Sequence, residues 1–288
     1  MESLEGLGRK VRTAHDLLAV VKTMKSLAAV NIRQYAAAAE AMDAYGGVVA
    51  SGWQALLWNR PPPRQREPGQ GGVCCLILGS DQGMCGQFNE RVAQTARTMM
   101  TSPEGLGGEP ILWTAGERVR AIAEEIGKVE AHFPLPLSLA AIGELNMRIV
   151  SRFAALHGEG RVGHFWVCAN RLGRAGSYAP RVARILPLEH HRPATRQWPG
   201  RAIPMLGLRE EQLYEHLFRQ HLFTTLYTAF AQSLASENAA RVVAMQAAEQ
   251  NIRELEEGLQ ARFRETRQNA ITAELLDIVS GFEALGAS

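Results

Sequence analysis

The loop Ser80–Asn89, SDQGMCGQFN, contains residue types that could hold a phosphate. It follows the apolar run VCCLILG and precedes a segment with helical periodicity. A strand, a glycine-containing turn and a helix often form a phosphate site. This loop has no lysine, however, and the spacing of Gly83 and Gly86 fits neither the P-loop pattern nor G-x-G-x-x-G. Nucleotide binding is therefore the weaker interpretation.

The stronger interpretation is a tight structural turn after a strand. Asp81 would start the turn, and Asn89 would cap the following helix. Gly83 and Gly86 would adopt backbone angles that other residues avoid, and Cys85 would pack inside the turn. This interpretation assigns the loop no catalytic residue, and we expect no cofactor and no metal site in the chain.

Composition favours protein partners over nucleic acid. The chain has 288 residues with a formal net charge of only +2. Residues 61–204 carry 17 basic and 12 acidic side chains, whereas residues 205–288 carry seven basic and 12 acidic ones. A basic middle and an acidic end suggest contacts between proteins. The four cysteines match no zinc-site spacing, which predicts free thiols in a reducing compartment.

Proline divides the chain into three parts. All 13 prolines lie between Pro61 and Pro204, so both ends can form long helices. Apolar residues at the first end alternate in steps of three and four, which is a heptad seam. The seam residues are Leu4, Leu7, Val11, Ala14, Leu18, Val21, Ala28, Ile32, Tyr35, Ala39 and Met42. Lys25 interrupts this seam, either as a tolerated polar residue or as a partner contact.

The second end has apolar residues at roughly helical spacing. They are Leu213, Leu217, Leu234, Val242, Met245, Ala248, Ile252, Leu255, Leu259, Phe263, Ile271, Leu275, Ile278 and Phe282. Helices over Arg9–Trp58 and Arg209–Leu285 would be about 75 Å and about 115 Å long at about 1.5 Å per residue. Because both are too long for the inside of a compact domain, we predict that they pair as an antiparallel coiled coil.

The middle of the chain alternates between strand-like and helix-like segments. Strands are predicted at Val73–Leu78, Ile111–Ala115, Val162–Ala169 and Val182–Leu188, and helices at Glu90–Met100, Glu117–Ile126 and Ile142–His157. This alternation predicts a small α/β, Rossmann-like domain with a mainly parallel sheet. The predicted organisation is a coiled-coil helix in residues 1–60, an α/β domain in residues 61–204 and a second coiled-coil helix in residues 205–288.

Three motifs carry a resemblance to a known family. The opening loop is similar to S-D-[RK]-G-L-C-G-x-[LF]-N, with Gln82 and Met84 as departures. Ser233–Asn251, SLASENAARVVAMQAAEQN, and Arg267–Gly281, RQNAITAELLDIVSG, resemble two further family motifs. Val20–Ala29, VVKTMKSLAA, is a weaker match. Together these stretches resemble the gamma subunit of F-type ATP synthases, and the departures suggest a divergent or alternative form.

The resemblance implies a role in rotary coupling. In that family the paired terminal helices form the central shaft inside a ring of alpha and beta subunits. The α/β domain lies beside the epsilon subunit and the membrane rotor ring of c subunits. The resemblance therefore implies a non-catalytic subunit that couples ion flow to ATP synthesis or hydrolysis. It further implies a peripheral location on the cytoplasmic face of a bacterial plasma membrane, and it leaves open whether the ion is a proton or sodium.

By position, the resemblance also implies beta-subunit contacts. The residues concerned are Lys22, Met24, Lys25, Glu237, Arg241, Arg267, Gln268 and Thr272. The spacing of Glu237 and Arg241 is equally that of an ordinary solvated pair on a helix surface. Departures at Val30, Asn31 and Arg264 affect the same contacts. Two other functions stay open, namely a non-rotary coiled-coil scaffold and a nucleotide-using α/β enzyme with helical arms.

Overall fold

The structure, a computed structural model, describes residues 3–59, 71–101, 110–136, 138–187 and 205–286, except for the side chains of residues 59, 175 and 281–286. Its elements in chain order are α1 (Leu4–Asn59), β1 (Gly72–Leu78), α2 (Phe88–Thr101), β2 (Ile111–Ala115), α3 (Glu117–Glu124), β3 (Val129–Phe133), α4 (Leu139–Gly158), β4 (Val162–Leu172), β5 (Tyr178–Leu186) and α5 (Glu210–Gly286). The expected domain boundaries near residues 61 and 204 lie outside the described residues.

The middle of the chain forms one five-stranded sheet in the order β3-β2-β1-β4-β5. The first four strands are parallel, and β5 runs antiparallel to β4, which confirms the mainly parallel sheet. Helices α2 and α3 cover one face, where Ile77 packs with Val92 and Val119. Helices α4 and α5 cover the other face, where Leu76 packs with Ile149 and other buried residues. Because β1 is buried on both faces, its sequence is continuously apolar.

The predictions of individual elements were less accurate than the fold class. No strand was predicted over Val129–Phe133, because this edge strand is only partly buried and its sequence, VEAHF, mixes polar and apolar residues. Strand β5 begins at Tyr178, four residues earlier than predicted. Helix α4 begins at Leu139 instead of Ile142, and the side chain of Ser138 caps it by accepting a hydrogen bond from the Ala141 N–H.

The chain divides into two compact units. We call Met1–Leu27 with Val242–Ser288 the helical unit, and Ala28–Arg241 the α/β unit. None of the helices described in the structure has a stretch long and apolar enough to cross a membrane.

Helices α1 and α5 pair in antiparallel orientation, as predicted. In the helical unit, Gly8 lies against Phe263, and the Lys25 ammonium bonds to the Glu249 carboxylate. As the residue number rises along α1, the number of its partner on α5 falls. The α/β unit shows the same trend by itself, because Asn31 bonds to Asn238 at 3.4 Å and Tyr45 bonds to Gln220 at 3.2 Å.

The predicted seam accounts for most of the buried residues on α1. Leu7, Ala14, Leu18, Val21, Ala28, Tyr35 and Ala39 are all buried. On α5, Leu217, Leu234, Met245 and Leu259 are buried. The assignment of Leu255 to the seam was wrong, because this side chain is 56% exposed. It lies ten residues after Met245, which places it about 80° round the helix and so at the edge of the buried strip.

All four cysteines are free and buried. Cys75 and Cys168 lie on neighbouring strands with their sulfur atoms 3.8 Å apart. A hydrogen bond with Cys75, together with burial, raises the pKa of Cys168 well above its ordinary value. Burial likewise raises the pKa of Cys74 and of Cys85. Since the thiolate is the reactive species, the raised pKa protects Cys74, Cys85 and Cys168 from reaction in addition to their burial.

We therefore predict that the native chain reacts slowly with a maleimide at neutral pH. Labelling of the four thiols should be on the order of a hundredfold slower than in the urea-unfolded chain, because it requires opening of the fold. Mass spectrometry of labelled peptides measures this. An Arg97→Cys variant, with its thiol on the exposed side of α2, supplies the fast control. Equal labelling of native and unfolded chain would contradict the buried placement.

Candidate functional site

The loop after β1 is closed by a reciprocal contact between Ser80 and Asn89. The Asn89 side-chain oxygen accepts a hydrogen bond from the Ser80 backbone N–H at 2.9 Å, and its amide group donates to the Ser80 hydroxyl at 2.9 Å. Asn89 is already inside α2, so the prediction that it caps this helix was wrong. Its side chain instead reaches back across the loop, and the residue is only 6% exposed.

Asp81 connects three loops at the carboxyl edge of the sheet. One carboxylate oxygen accepts a hydrogen bond from the Glu117 N–H at 2.8 Å, and the other accepts from the Leu135 N–H at 3.0 Å. These amides follow β2 and β3, whereas Asp81 itself follows β1. The aspartate was expected only to begin a turn. It additionally joins the ends of three neighbouring strands.

Two residues of the loop have left-handed backbone angles. Gly86 has φ of 60°, as the sequence suggested, but the second such residue is Met84 and not Gly83. The prediction for Gly83 was therefore wrong. A non-glycine residue with positive φ is strained. Met84 is also 57% exposed, so the loop holds an apolar side chain outward in an unfavourable backbone conformation.

The inner side of the loop packs against α5. Cys85, Phe88 and Ala240 form one buried cluster, with Tyr178 of β5 packed against it. The Asn170 amide of β4 donates to the Phe88 carbonyl oxygen at 3.0 Å, and the Ser236 hydroxyl of α5 lies 3.3 Å from the Asn170 carbonyl oxygen. The opening loop and the SLASENAARV motif, which are far apart in sequence, thus meet in the α/β unit.

Glu237 and Arg241 are the charged members of this contact. The Arg241 guanidinium donates to the Glu237 carboxylate at 2.6 Å and lies 3.5 Å from the Gln82 carbonyl oxygen. The two residues are only 5% and 8% exposed. The solvated-pair alternative was therefore wrong. Burial raises the pKa of Glu237 and Asp81 adds to this, while Arg241 opposes both.

The position of this contact explains what the loop does. In an open α/β sheet, ligands bind at the carboxyl ends of the strands where the strand order reverses, which here is between β1 and β4. Ser236 of α5 contacts Asn170 near the end of β4, and Ala240 and Arg241 contact the segment that follows β1. The loop therefore holds the chain's own helix at the place where related folds hold a ligand.

The remaining predicted contact residues lie in the helical unit. Lys22, Arg267, Gln268 and Thr272 are exposed, and Met24 is half-buried. Lys25 is engaged within the chain, because it bonds to Glu249, which also accepts from Arg253 at 2.5 Å. The structure therefore supports the tolerated-seam alternative for Lys25. Glu249 and Arg253 were not singled out from the sequence, although their spacing of four residues is that of a helix pair.

The structure leaves two apolar surfaces exposed; the first was missed, and the second includes Ile271, Leu275 and Ile278, which were predicted as part of the apolar stripe of the second helix. On α1, Leu17, Val20 and Leu27 are at least half exposed and share a helix face with Met24, about 100° round the helix from the seam. On α5, every side chain from Arg267 to Ser280 is exposed. The large apolar residues among these are Ile271, Leu275, Leu276, Ile278 and Val279. Spacing of three and four residues on both faces of α1 is the signal that could have revealed the first surface.

Comparison with known proteins places the chain in a family. A family model described as ATP synthase matches residues 3–285. The chain belongs to the ATP synthase family. It is 28% identical to the ATP synthase gamma chain of Granulibacter bethesdensis, over 99% of this chain and 100% of that relative. It is also 28% identical to the gamma chain of Saccharopolyspora erythraea, over 97% and 94% of the two chains.

Solved ATP synthases share the fold of this family member. A chain of the Euglena gracilis mitochondrial ATP synthase rotor aligns with a TM-score of 0.65 and 14% identity, covering 93% of this chain and 98% of that one. A chain of the Tetrahymena thermophila mitochondrial ATP synthase central stalk and c-ring aligns with a TM-score of 0.60 and 17% identity, covering 80% and 99%. At these identities the likeness concerns the arrangement of helices and sheet.

The left-handed loop residues provide a matched test of the loop. Gly86→Ala should lower the free energy of unfolding by about 1–2 kcal/mol, because a Cβ meets no atom within 4 Å and only the backbone angle is penalised. Gly83→Ala should have little effect, since Gly83 lacks positive φ and its nearest neighbour is 3.8 Å away. Thermal melting followed by the fluorescence of the α/β-unit tryptophans measures both. Equal effects would contradict the assigned angles.

The Glu237–Arg241 pair can be tested by a double-mutant cycle. Glu237→Gln should destabilise the α/β unit by about 3–5 kcal/mol, because it leaves a buried guanidinium without its carboxylate. Arg241→Met should have a similar cost. The double variant should lose much less than the sum, since no charge is left buried and unpaired. Additive losses in urea unfolding would show that the residues act independently.

Proposed function

We propose that this chain is the central-stalk subunit, the rotor shaft, of an F-type ATP synthase. In this role it couples ion translocation through the membrane sector to ATP synthesis or hydrolysis in the catalytic head. The observation that carries the proposal is similarity to gamma chains over nearly the whole chain, including both long helices and the intervening sheet. The chain itself is non-catalytic, and ATP chemistry belongs to the other subunits.

The partners are the alpha and beta subunits of the head, the epsilon subunit and the ring of c subunits. The exposed apolar surfaces of the helical unit support such contacts, because extended apolar patches on a protein surface mark interaction sites. One is the α1 face that contains Leu17, Val20 and Leu27, and the other is the end of α5 after Arg267. Neither is covered by described residues of this chain.

Burial limits which of the predicted residues can contact the beta subunit. We assign them to the exposed or half-buried residues Lys22, Met24, Arg267, Gln268 and Thr272. Met24 lies on the apolar face of α1, and the Thr272 hydroxyl donates to the backbone carbonyl oxygen of Gln268 at 2.9 Å, which leaves the Gln268 side chain out of this bond. Lys25, Glu237 and Arg241 act inside the chain, where Lys25 joins α1 to α5 and the other two hold the loop after β1.

The location follows from the assembly. As part of the rotor, the chain is peripheral to a membrane, and we place it on the cytoplasmic face of a bacterial plasma membrane. This subunit carries no ion in the proposed mechanism, so the proposal applies equally to complexes driven by protons and by sodium.

Assembly is the direct test of the proposed function. Co-expressed with the alpha and beta subunits of its own organism, the tagged chain should co-purify as a complex with ATPase activity. The chain purified alone should not hydrolyse ATP. Elution of the chain by itself, together with ATP binding measured by calorimetry, would instead favour the nucleotide-using enzyme.

Coupling can be separated from catalysis in the assembled complex. Replacement of Arg267, Gln268 and Thr272 together by alanine should lower ATP-driven ion pumping several-fold relative to ATPase rate, because side chains that transmit force at the beta subunit are lost. An Arg120→Ala/Glu124→Ala variant removes an exposed ion pair of α3 and serves as control. Both rates are measured in membrane vesicles. A wild-type pumping ratio in the triple variant would remove these residues from the contact.

A further inference from the structure

The seam of α1 contains one charged residue, and its environment is unusual. Lys25 follows the buried Val21 by four residues and precedes the buried Ala28 by three, so it occupies a heptad seam position. Its side chain is 32% exposed, and its ammonium bonds to one carboxylate oxygen of Glu249. The lysine is therefore accommodated by a specific acidic partner on α5.

Both carboxylate oxygens of Glu249 bond to basic side chains, one from each helix. Its second oxygen accepts a hydrogen bond from Arg253 of α5 at 2.5 Å, and its side chain is only 11% exposed. The bonds to Lys25 and Arg253 hold the pKa of Glu249 below its ordinary value against the effect of burial. The carboxylate is thus ionised at neutral pH and held between α1 and the next turn of α5.

We propose that Lys25, Glu249 and Arg253 fix the axial register of α1 against α5 in the helical unit. Apolar contacts tolerate sliding because the hydrophobic effect is not directional, whereas a hydrogen-bonded ion pair requires particular atoms to meet. One polar residue at a seam position is a known means of specifying register in coiled coils.

The neighbouring sequence disfavours the nearest alternative registers. A slip of one heptad would bring Glu249 level with the α1 position seven residues before or after Lys25. These positions hold Leu18 and Ile32, which offer the carboxylate no partner. A second ion pair between the two helices, His15 with Glu256, is longer at 3.6 Å, and its histidine is 73% exposed. The register therefore depends mainly on the Lys25 network.

The test measures register in the full chain by pulsed electron resonance between two spin labels. Cysteines replace Arg12 on α1 and Gln250 on α5, which are both exposed, and the four native thiols are buried. A slip of one heptad moves one helix by about 10 Å along the other, and because the labels are offset along the axis their separation changes by a similar amount.

The charge-swap series distinguishes a register contact from a general stabilising contact. Lys25→Glu and Glu249→Lys should each produce a second label distance, because like charges now meet at the seam. The combined swap should restore the single wild-type distance. Glu257→Lys, an exposed charge change on α5, should leave it unchanged. One wild-type distance in every variant would overturn the proposal, since apolar contacts would then set the register alone. A second distance that persists in the combined swap would overturn it as well.

Discussion

The structure depends on the apolar seams of two helices that cannot remain in water. Burial of apolar surface contributes about 25 cal/mol per Å², so a helix of α1's length with an apolar seam requires a partner. The chain supplies that partner from its other end, with α5 running antiparallel to α1. The described residues between Asn59 and Glu210 therefore form an insertion in this helix pair. This requirement explains why the elements from β1 to β5 lie between α1 and α5 in the sequence.

The sheet of the α/β unit has the topology of ligand-binding folds, but its carboxyl edge contacts the chain's own helix α5. At the reversal of strand order between β1 and β4, the loop after β1 meets α5 through Cys85, Phe88 and Ala240. Glu237 and Arg241 add a buried ion pair at this contact. Such pairs contribute little net stability because of desolvation, but removing one partner is costly. Both partners belong to α5, so the link between this helix and the loop is the contact of Arg241 with the Gln82 carbonyl oxygen, and Glu237 neutralises the buried guanidinium that makes it.

The fold class could be predicted from the sequence because its strongest signals extend over many residues and depend only on where proline and apolar residues occur. The absence of proline from both ends and the heptad seam predicted α1, α5 and their pairing. Edge strand β3 was missed, since VEAHF is short and only partly buried. The roles of Asn89 and Gly83 were predicted wrongly, because capping and backbone angles depend on where the next helix begins. A start two residues earlier placed Asn89 inside α2.

Burial of the charged residues was beyond prediction from the sequence for a different reason. A glutamate and an arginine four residues apart have the same pattern on an exposed and on a buried helix face. Only the packing of the loop after β1 on α5 decides between these, and that contact joins Gln82 to Arg241 across more than half of the chain. The pairing of Lys25 with Glu249 likewise requires the register of two helices, which periodicity alone leaves undetermined.

The exposed end of α5 also affects the chain before it is assembled into a complex. Ile271, Leu275 and Val279 recur at steps of four along a helix whose neighbouring side chains are all exposed. Such a strip is self-complementary, so two unassembled copies can cover it by joining end to end. An exposed helix end also gives proteases an accessible substrate. Surplus chain is thereby exposed to aggregation and degradation, which favours synthesis in step with the subunits that enclose it.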